Sequence, residues 1–311
     1  MTTGHDTVLL HEAVDALVGN PAGVYVDGTF GRGGHSRELL KRLNDEGRVL
    51  GVDKDEEAEV VARTLVAQDA RFTFLRASFA ELPKILATHD LARLSGILLD
   101  LGVSSPQLDV PERGFSFSQD GPLDMRMDRS RGPSAAQWLA IADEGEIASV
   151  LKDFGEERYA RRIAAAIVRA RDESPLLRTG QLAEVVKAAH PRWEKHHHPA
   201  TRSFQAIRIR INRELEDLRA FLDAALSLLA VGGRLVVISF HSLEDRIVKQ
   251  YLRDMSRPPQ LPREIPLREG EGDQVVVPFR LLGKAVRAGD AEVAANPRAR
   301  SAIMRCAERV A

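Results

Sequence analysis

The sequence predicts a parallel-sheet α/β protein whose sheet is interrupted by an all-helical insertion. Three observations carry this. Residues 1–100 alternate short apolar strands with helical patterns. Residues 134–210 show helical periodicity and no strand pattern. Strand–helix alternation then resumes after 211. The expected division is a first core segment at 1–106, a helical insertion at 107–211 and a second core segment at 212–311.

The elements follow in order. Strands are expected at 24–27, 48–52, 72–75 and 96–100, with helices near 9–18, 35–44, 55–67 and 79–88. The fourth strand, Gly96-Ile97-Leu98-Leu99-Asp100, is apolar without alternation, as a strand covered on both faces should be. From 106 to 133 the chain reads as loop. Ser134 is placed to cap a helix, Gly145 to break before the next, and Thr179 to cap a third. Leu215, Leu218, Leu222, Leu226 and Leu229 recur at helical spacing, and Gly232-Gly233 reads as their C-cap. The strand Leu235–Ile238 runs into Ser239-Phe240-His241, and late strands at 275–279 and 302–307 would complete the sheet.

Composition bounds the class. With 44% hydrophobic and 29% charged residues the chain can bury a core, which argues against disorder. A lone cysteine, Cys306, excludes an internal disulfide and a cysteine-based zinc site. The first residues lack a basic and an apolar signal region, and no apolar run is long enough for a bilayer, so a soluble cytoplasmic protein is expected. Net charge is −1, but it is unevenly spread: 154–213 holds thirteen Lys and Arg against six acids. That asymmetry suits a region facing a polyanion.

The most informative motif is Asp27-Gly28-Thr29-Phe30-Gly31-Arg32-Gly33-Gly34-His35-Ser36, set between a strand and a helix. Glycines let a backbone approach a ligand, and the helix N-terminus offers unpaired N–H groups. Asp53 ends the second strand twenty residues past Gly33, where an acid can bind both hydroxyls of a ribose. The dinucleotide fingerprint G-x-G-x-x-G fails at Ser36, and no Lys/Tyr pair suits hydride transfer, against a NAD-dependent oxidoreductase. Asp27 instead makes a D-x-x-x-G-x-G loop, similar to the S-adenosylmethionine (SAM) loop of class I methyltransferases. SAM carries an ammonium and a sulfonium and no pyrophosphate, so a nearby acid is electrostatically sensible.

The segments Asp27–Ser36, Asp100–Gln107, Gly114–Asp128, His198–Arg208 and Ile238–Lys249 together resemble the RsmH/MraW family of bacterial 16S rRNA (cytosine-N4)-methyltransferases, nearly along the whole chain. The resemblance implies a class I SAM-dependent methyltransferase core, Rossmann-like, with an inserted all-helical substrate-recognition domain. It implies SAM as methyl donor and a cytidine in the decoding (P-site) region of 16S rRNA as acceptor, within the small ribosomal subunit. Carried over, the SAM contacts fall on Gly33, Gly34, His35, Asp53, Phe79, Asp100 and Gln107. Phe79 suits an adenine face or ordinary core, and His35 offers either its ring or its peptide N–H.

Methyl transfer to a cytosine amine needs alignment and acceptors for the amine hydrogens. Asp100, Ser104, Ser105 and Pro106 are the candidates. DNA amino-methyltransferases carry a similar Ser/Asp-Pro-Pro-aromatic turn here, but Ser105-Pro106-Gln107 lacks the second proline and the aromatic. Phe115, Phe117 and Phe240 are substitutes for stacking on the flipped base, and His241 is a weaker candidate for the released proton. Arg202, Arg208 and Arg210 are the leading RNA contacts, with Arg158, Arg161 and Arg162 next. Adjacent histidines such as the run His196–His198 rarely point one way, so no metal is expected. Neither is a membrane. A homodimer stays open, although no long hydrophobic seam marks one. A non-catalytic SAM-binding ribosome assembly factor and a DNA cytosine-N4 methyltransferase are the competing readings.

Overall fold

The structure is a computed structural model that describes residues 7–88, 93–192, 198–258 and 276–311. The chain separates into two compact units, Met1–Gly102 with Glu216–Ala311, and Val103–Leu215.

The first unit opens with α1 (Leu10–Leu17), β1 (Val24–Asp27), α2 (Gly34–Arg42), β2 (Arg48–Asp53), α3 (Glu56–Gln68), β3 (Phe72–Arg76), α4 (Leu82–Thr88) and β4 (Leu94–Asp100). A short 3-10 turn, Phe79–Glu81, leads into α4. Apolar side chains alternate between the two faces of the strands. Tyr25, Val49, Leu98 and Val236 join one cluster with α1, α2 and α3; Val26, Leu50, Leu99 and Val237 join the other. Helices therefore cover both faces, which is why β1 and β4 read as continuous apolar runs.

The second unit is helical: α5 (Ser105–Asp109), α6 (Ala135–Ile141), α7 (Glu144–Gly155), α8 (Ala160–Glu173), α9 (Thr179–Ala189) and α10 (Ala200–Asn212). Its own core holds Trp138, Ile147, Ile163, Leu182, Phe204 and Ile207. The segment read as loop contains α5 and a 3-10 turn at Pro111–Arg113. Ser134 caps α6, its hydroxyl accepting from Gln137 N–H at 3.2 Å. The cap of α7 is Asp143, which accepts from Glu146 N–H, and Gly145 lies inside the helix. Thr179 is likewise the first residue of α9 and not its cap. Its hydroxyl is turned to Gly121 N–H, while Gln181 Oε1 accepts from Arg178 N–H. Asn212 ties α10 to the loop before α6, accepting from Met127 N–H and donating to Met125 C=O, both at 2.7 Å.

The chain then continues through α11 (Glu214–Leu228), β5 (Leu229–Ser239), α12 (Ser242–Met255), β6 (Phe279–Leu281), β7 (Val286–Arg287), α13 (Asp290–Ala295) and β8 (Ile303–Arg309). Gly232-Gly233 does not cap α11, which ends at Leu228 and passes straight into β5. The glycines sit where the β4–β5 register shifts between Leu94 and Gly96, and Gly232 has φ +83°. A bulge, and not a helix end, uses their backbone freedom. Of the late strand expected at 275–279 only Phe279 lies in a strand, the first residue of β6; residues 276–278 are irregular, and residue 275 lies outside the described residues.

Strand order is β3-β2-β1-β4-β5-β8-β6, with β7 also paired to β8. The first five are parallel, and β8 runs antiparallel to β5. The chain steps from β1 outward to β3, then returns to β4 on the other side of β1. That reversal between β1 and β4 opens a crevice beyond their carboxyl ends, where open α/β sheets hold ligands.

Candidate functional site

The loop after β1 is built by hydrogen bonds to the strands beside it. Gly28 N–H donates to Leu98 C=O of β4, and Phe30 N–H donates to Val52 C=O of β2. Thr29 accepts from Asp100 N–H through its hydroxyl at 2.6 Å. A Cβ on Gly28 would lie 2.5 Å from Leu99 Cδ2, so only glycine lets the loop lie this close to β4. Phe30 packs its ring against Phe72 and Phe74, each 5.4 Å away between centroids. Gly33 precedes α2 with φ +73°, a left-handed conformation that costs other residues energy.

Asp27 ends β1 fully buried, accepting from Ser36 Oγ at 2.7 Å and from Thr29 N–H. It shapes the loop from within. Asp53 ends β2, accepting from Gly31 N–H at 2.8 Å and Asp55 N–H at 2.9 Å. Asp100 ends β4. Its Oδ2 lies 3.7 Å from His35 Nδ1, and its Oδ1 is buried without a hydrogen-bond partner. His35 is buried on the first turn of α2, and its Nε2 also lacks one. Burial pushes Asp27 and Asp53 up to about 6, against the lowering effect of their hydrogen bonds. Burial, then the charges of Asp27 and Glu244, holds Asp100 well above the usual carboxylate range. Burial pushes His35 down to about 4, so it faces Asp100 as a neutral ring.

The other expected cofactor residues fall in different settings. Phe79 is 9% exposed and packs edge-to-face on Phe221 at 5.8 Å, so most of its ring belongs to the core. Gln107 is buried in the helical unit, and its Oε1 accepts from Ser104 N–H at 2.9 Å, closing the first turn of α5. Ser105 and Pro106 start that helix, partly exposed. Sequence reasoning missed Thr29, which fixes Asp100, and Glu244, which accepts from Phe240 N–H and lies 3.1 Å from His241 Nε2. An acid in the first turn of the helix after β5 was the available signal for Glu244.

The candidate RNA contacts split into two groups. Arg158, Arg161, Arg162 and Arg202 are exposed. Arg208 is largely buried and grips Glu214 with two hydrogen bonds of 2.8 Å. Arg210 pairs with Glu146 at 3.2 Å and lies over the Trp138 ring. Packing thus gives two of the three leading candidates structural work. Of the stacking candidates, Phe115 is buried under Arg113, and Phe117 packs on Phe204 and His198. Phe240 lies over Gly102. His198 accepts from Ala200 N–H through Nδ1, while His196 and His197 lie outside the described residues.

The strand order, the glycine loop at the β1/β4 switch point and the acids at the ends of β1, β2 and β4 define a class I, Rossmann-like SAM-dependent methyltransferase. A family model described as the MraW methylase family matches residues 2–310, and the chain belongs to that family. Curated relatives agree. A protein of Thioalkalivibrio sulfidiphilus named ribosomal RNA small subunit methyltransferase H is 58% identical over 308 residues, covering 99% of this chain and 98% of the relative. A protein of the same name from Nitrosococcus oceani is 55% identical, covering 99% of this chain and 97% of the relative. No described helix is long and apolar enough to cross a membrane.

The residues present fit SAM. Gly31 has φ +51°, and a Cβ there would meet only a backbone oxygen 3.9 Å away, so the loop leaves room beside it. The orphaned buried atoms of His35 and Asp100 are polar groups that burial should not leave unpaired without a ligand.

Proposed function

We propose that the protein transfers a methyl group from SAM to the exocyclic N4 amine of a cytidine in the decoding region of 16S rRNA. The observation that carries this reading is the set of acids closing β1, β2 and β4 around a SAM-type loop. The name shared by its relatives points to small-subunit RNA as the substrate.

Asp53 would hold the ribose hydroxyls, and Gly33, Gly34 and His35 would line the loop side of the cofactor. Phe79 would present its exposed edge to the adenine, and Gln107 would contribute from the start of α5. SAM, when bound, supplies an electrophilic methyl group that needs no metal. The cytosine amine is a poor nucleophile because its lone pair is delocalised into the ring. The protein therefore has to align it and draw its hydrogens toward acceptors. Alignment alone contributes up to about 7–11 kcal/mol. Asp100 is the acceptor best placed to stabilise the growing positive charge, with Ser104, Ser105 and the Pro106 turn as the other polar groups offered to the amine.

The exposed arginines of α8 and its approach support an RNA-facing surface. Replacing Arg158, Arg161 and Arg162 together with alanine should weaken RNA binding and reduce the steepness of its salt dependence by about three charges. Filter binding across a salt series reads this, and an unaltered slope removes the surface from the RNA interface.

Transfer of labelled methyl from SAM to small ribosomal subunits and to free 16S rRNA, followed by mass mapping of nucleosides, tests the whole reading. N4-methylated cytidine at one site is expected. Binding of SAM without transfer would favour a non-catalytic assembly factor, and N4-methylation of DNA alone would favour a DNA methyltransferase.

A further inference from the structure

The crevice beyond β4 gathers carboxyl groups. Asp100 is faced by His35 from α2, by Asp27 from β1 and by Glu244 from α12. Asp53 of β2 adds its charge through Asp27, and Lys54 acts on Asp53 and pairs with Asp217 of α11 at 3.3 Å. Asp27 already accepts from Ser36 and Thr29, and Glu244 from Phe240 N–H. Asp100 has its Oδ1 buried and unpartnered, and the nearest ring to its Oδ2 is the buried His35.

We propose that this acidic nest senses the charge on the cofactor's sulfur. It holds a proton in the empty protein and releases it to solvent when a sulfonium arrives, so the site ranks SAM above S-adenosylhomocysteine. This rests on the crevice being the cofactor site. An ionised Asp100 in the empty protein would face two like charges with no donor on Oδ1, so the protonated carboxyl is the favoured form. A cation in the crevice reverses that preference. The amino-acid ammonium is common to SAM and its product and cancels in the comparison. Only the sulfur differs, +1 against 0.

The sign follows from linkage. A carboxyl raised in the folded protein makes the empty protein lose stability as pH rises from its ordinary value of 3.8 toward the raised one. A bound sulfonium offsets that loss, so affinity for SAM grows with pH over the same window more steeply than affinity for S-adenosylhomocysteine. The affinity ratio should rise about tenfold as pH passes through that window, within the limit of one log unit per pH unit for one proton. Asp100 then becomes a carboxylate, able to accept an amine hydrogen, only once the methyl donor is in place.

Calorimetry on the full chain, in buffers of different ionisation enthalpy, tests this with SAM, S-adenosylhomocysteine and sinefungin, whose amine replaces the methylsulfonium. Release of about one proton with SAM and sinefungin, and much less with S-adenosylhomocysteine, is expected from single-site linkage. Asp100→Asn should abolish the difference and flatten the pH profile of the ratio. Glu244→Gln should move its midpoint to lower pH, and it decides the matter if Asp100→Asn does not fold. Equal proton release for all three ligands, a flat ratio in the unaltered protein, or an unmoved midpoint in Glu244→Gln overturns the inference. Failure of every ligand to bind at any pH would remove the cofactor assignment and the inference with it.

Discussion

Gly33→Ala is expected to lower SAM affinity by at least about a hundredfold, equivalent to about 3 kcal/mol. Two costs combine. The residue has φ +73°, where a Cβ is strained by about 1 kcal/mol. The new Cβ would also lie 2.6 Å from Phe30 Cζ and 2.7 Å from its Cε2. That ring cannot withdraw freely, because Phe72 and Phe74 hold it on two sides. Overpacking of this kind costs about 1–3 kcal/mol. Gly33 N–H donates to Phe30 C=O, and Gly33 C=O accepts from Arg37 N–H, so a shift of the ring is transmitted to the start of α2. Isothermal titration reads the affinity, and thermal unfolding shows whether the loop alone has moved. A loss of threefold or less would mean that this loop does not cradle the cofactor.

Arg208→Ala is expected to destabilise the helical unit by about 3 kcal/mol, the range seen when one partner of a buried ion pair is removed. The Arg208 and Glu214 side chains are 13% and 8% exposed, and truncation leaves the Glu214 carboxylate buried without its guanidinium. Urea unfolding gives the magnitude. Arg208→Lys should recover only part of it, since an ammonium cannot reproduce the two-point grip. An unfolding midpoint unchanged by Arg208→Ala would free this residue to be counted with the RNA contacts. Alanine at Arg161, which is exposed, should leave the stability within about 0.5 kcal/mol, as surface substitutions generally do.

The contrast between these arginines marks the limit of legibility. Arg161 and Arg208 are equivalent in composition and both sit in helical patterns. Which one meets solvent depends on the face each helix buries, and Arg208 is drawn inward by Glu214, six residues on across a helix break. Gly232-Gly233 poses a similar problem. A glycine pair after a leucine repeat reads locally as a C-cap, and only the register between β4 and β5 turns it into a bulge. Gln107 is a third case, since its side chain is committed to Ser104 N–H by the geometry of one helical turn.

By itself, the sequence determined the alternation of strands and helices, the glycine loop and the acids that end β1, β2 and β4. These are local properties: apolar period, glycine at a left-handed turn and a polar residue at a strand end. It also determined family membership, because long motifs spread along the chain leave little room for coincidence. Tertiary structure decided what charge and burial do at those positions. The protonation of Asp100 depends on Asp27, seventy-three residues earlier, and on Glu244, far later, brought to one crevice only by strand order. Thr29 fixes Asp100 across 71 residues. Desolvation and like-charge repulsion act through space, so they arise only when the sheet has assembled.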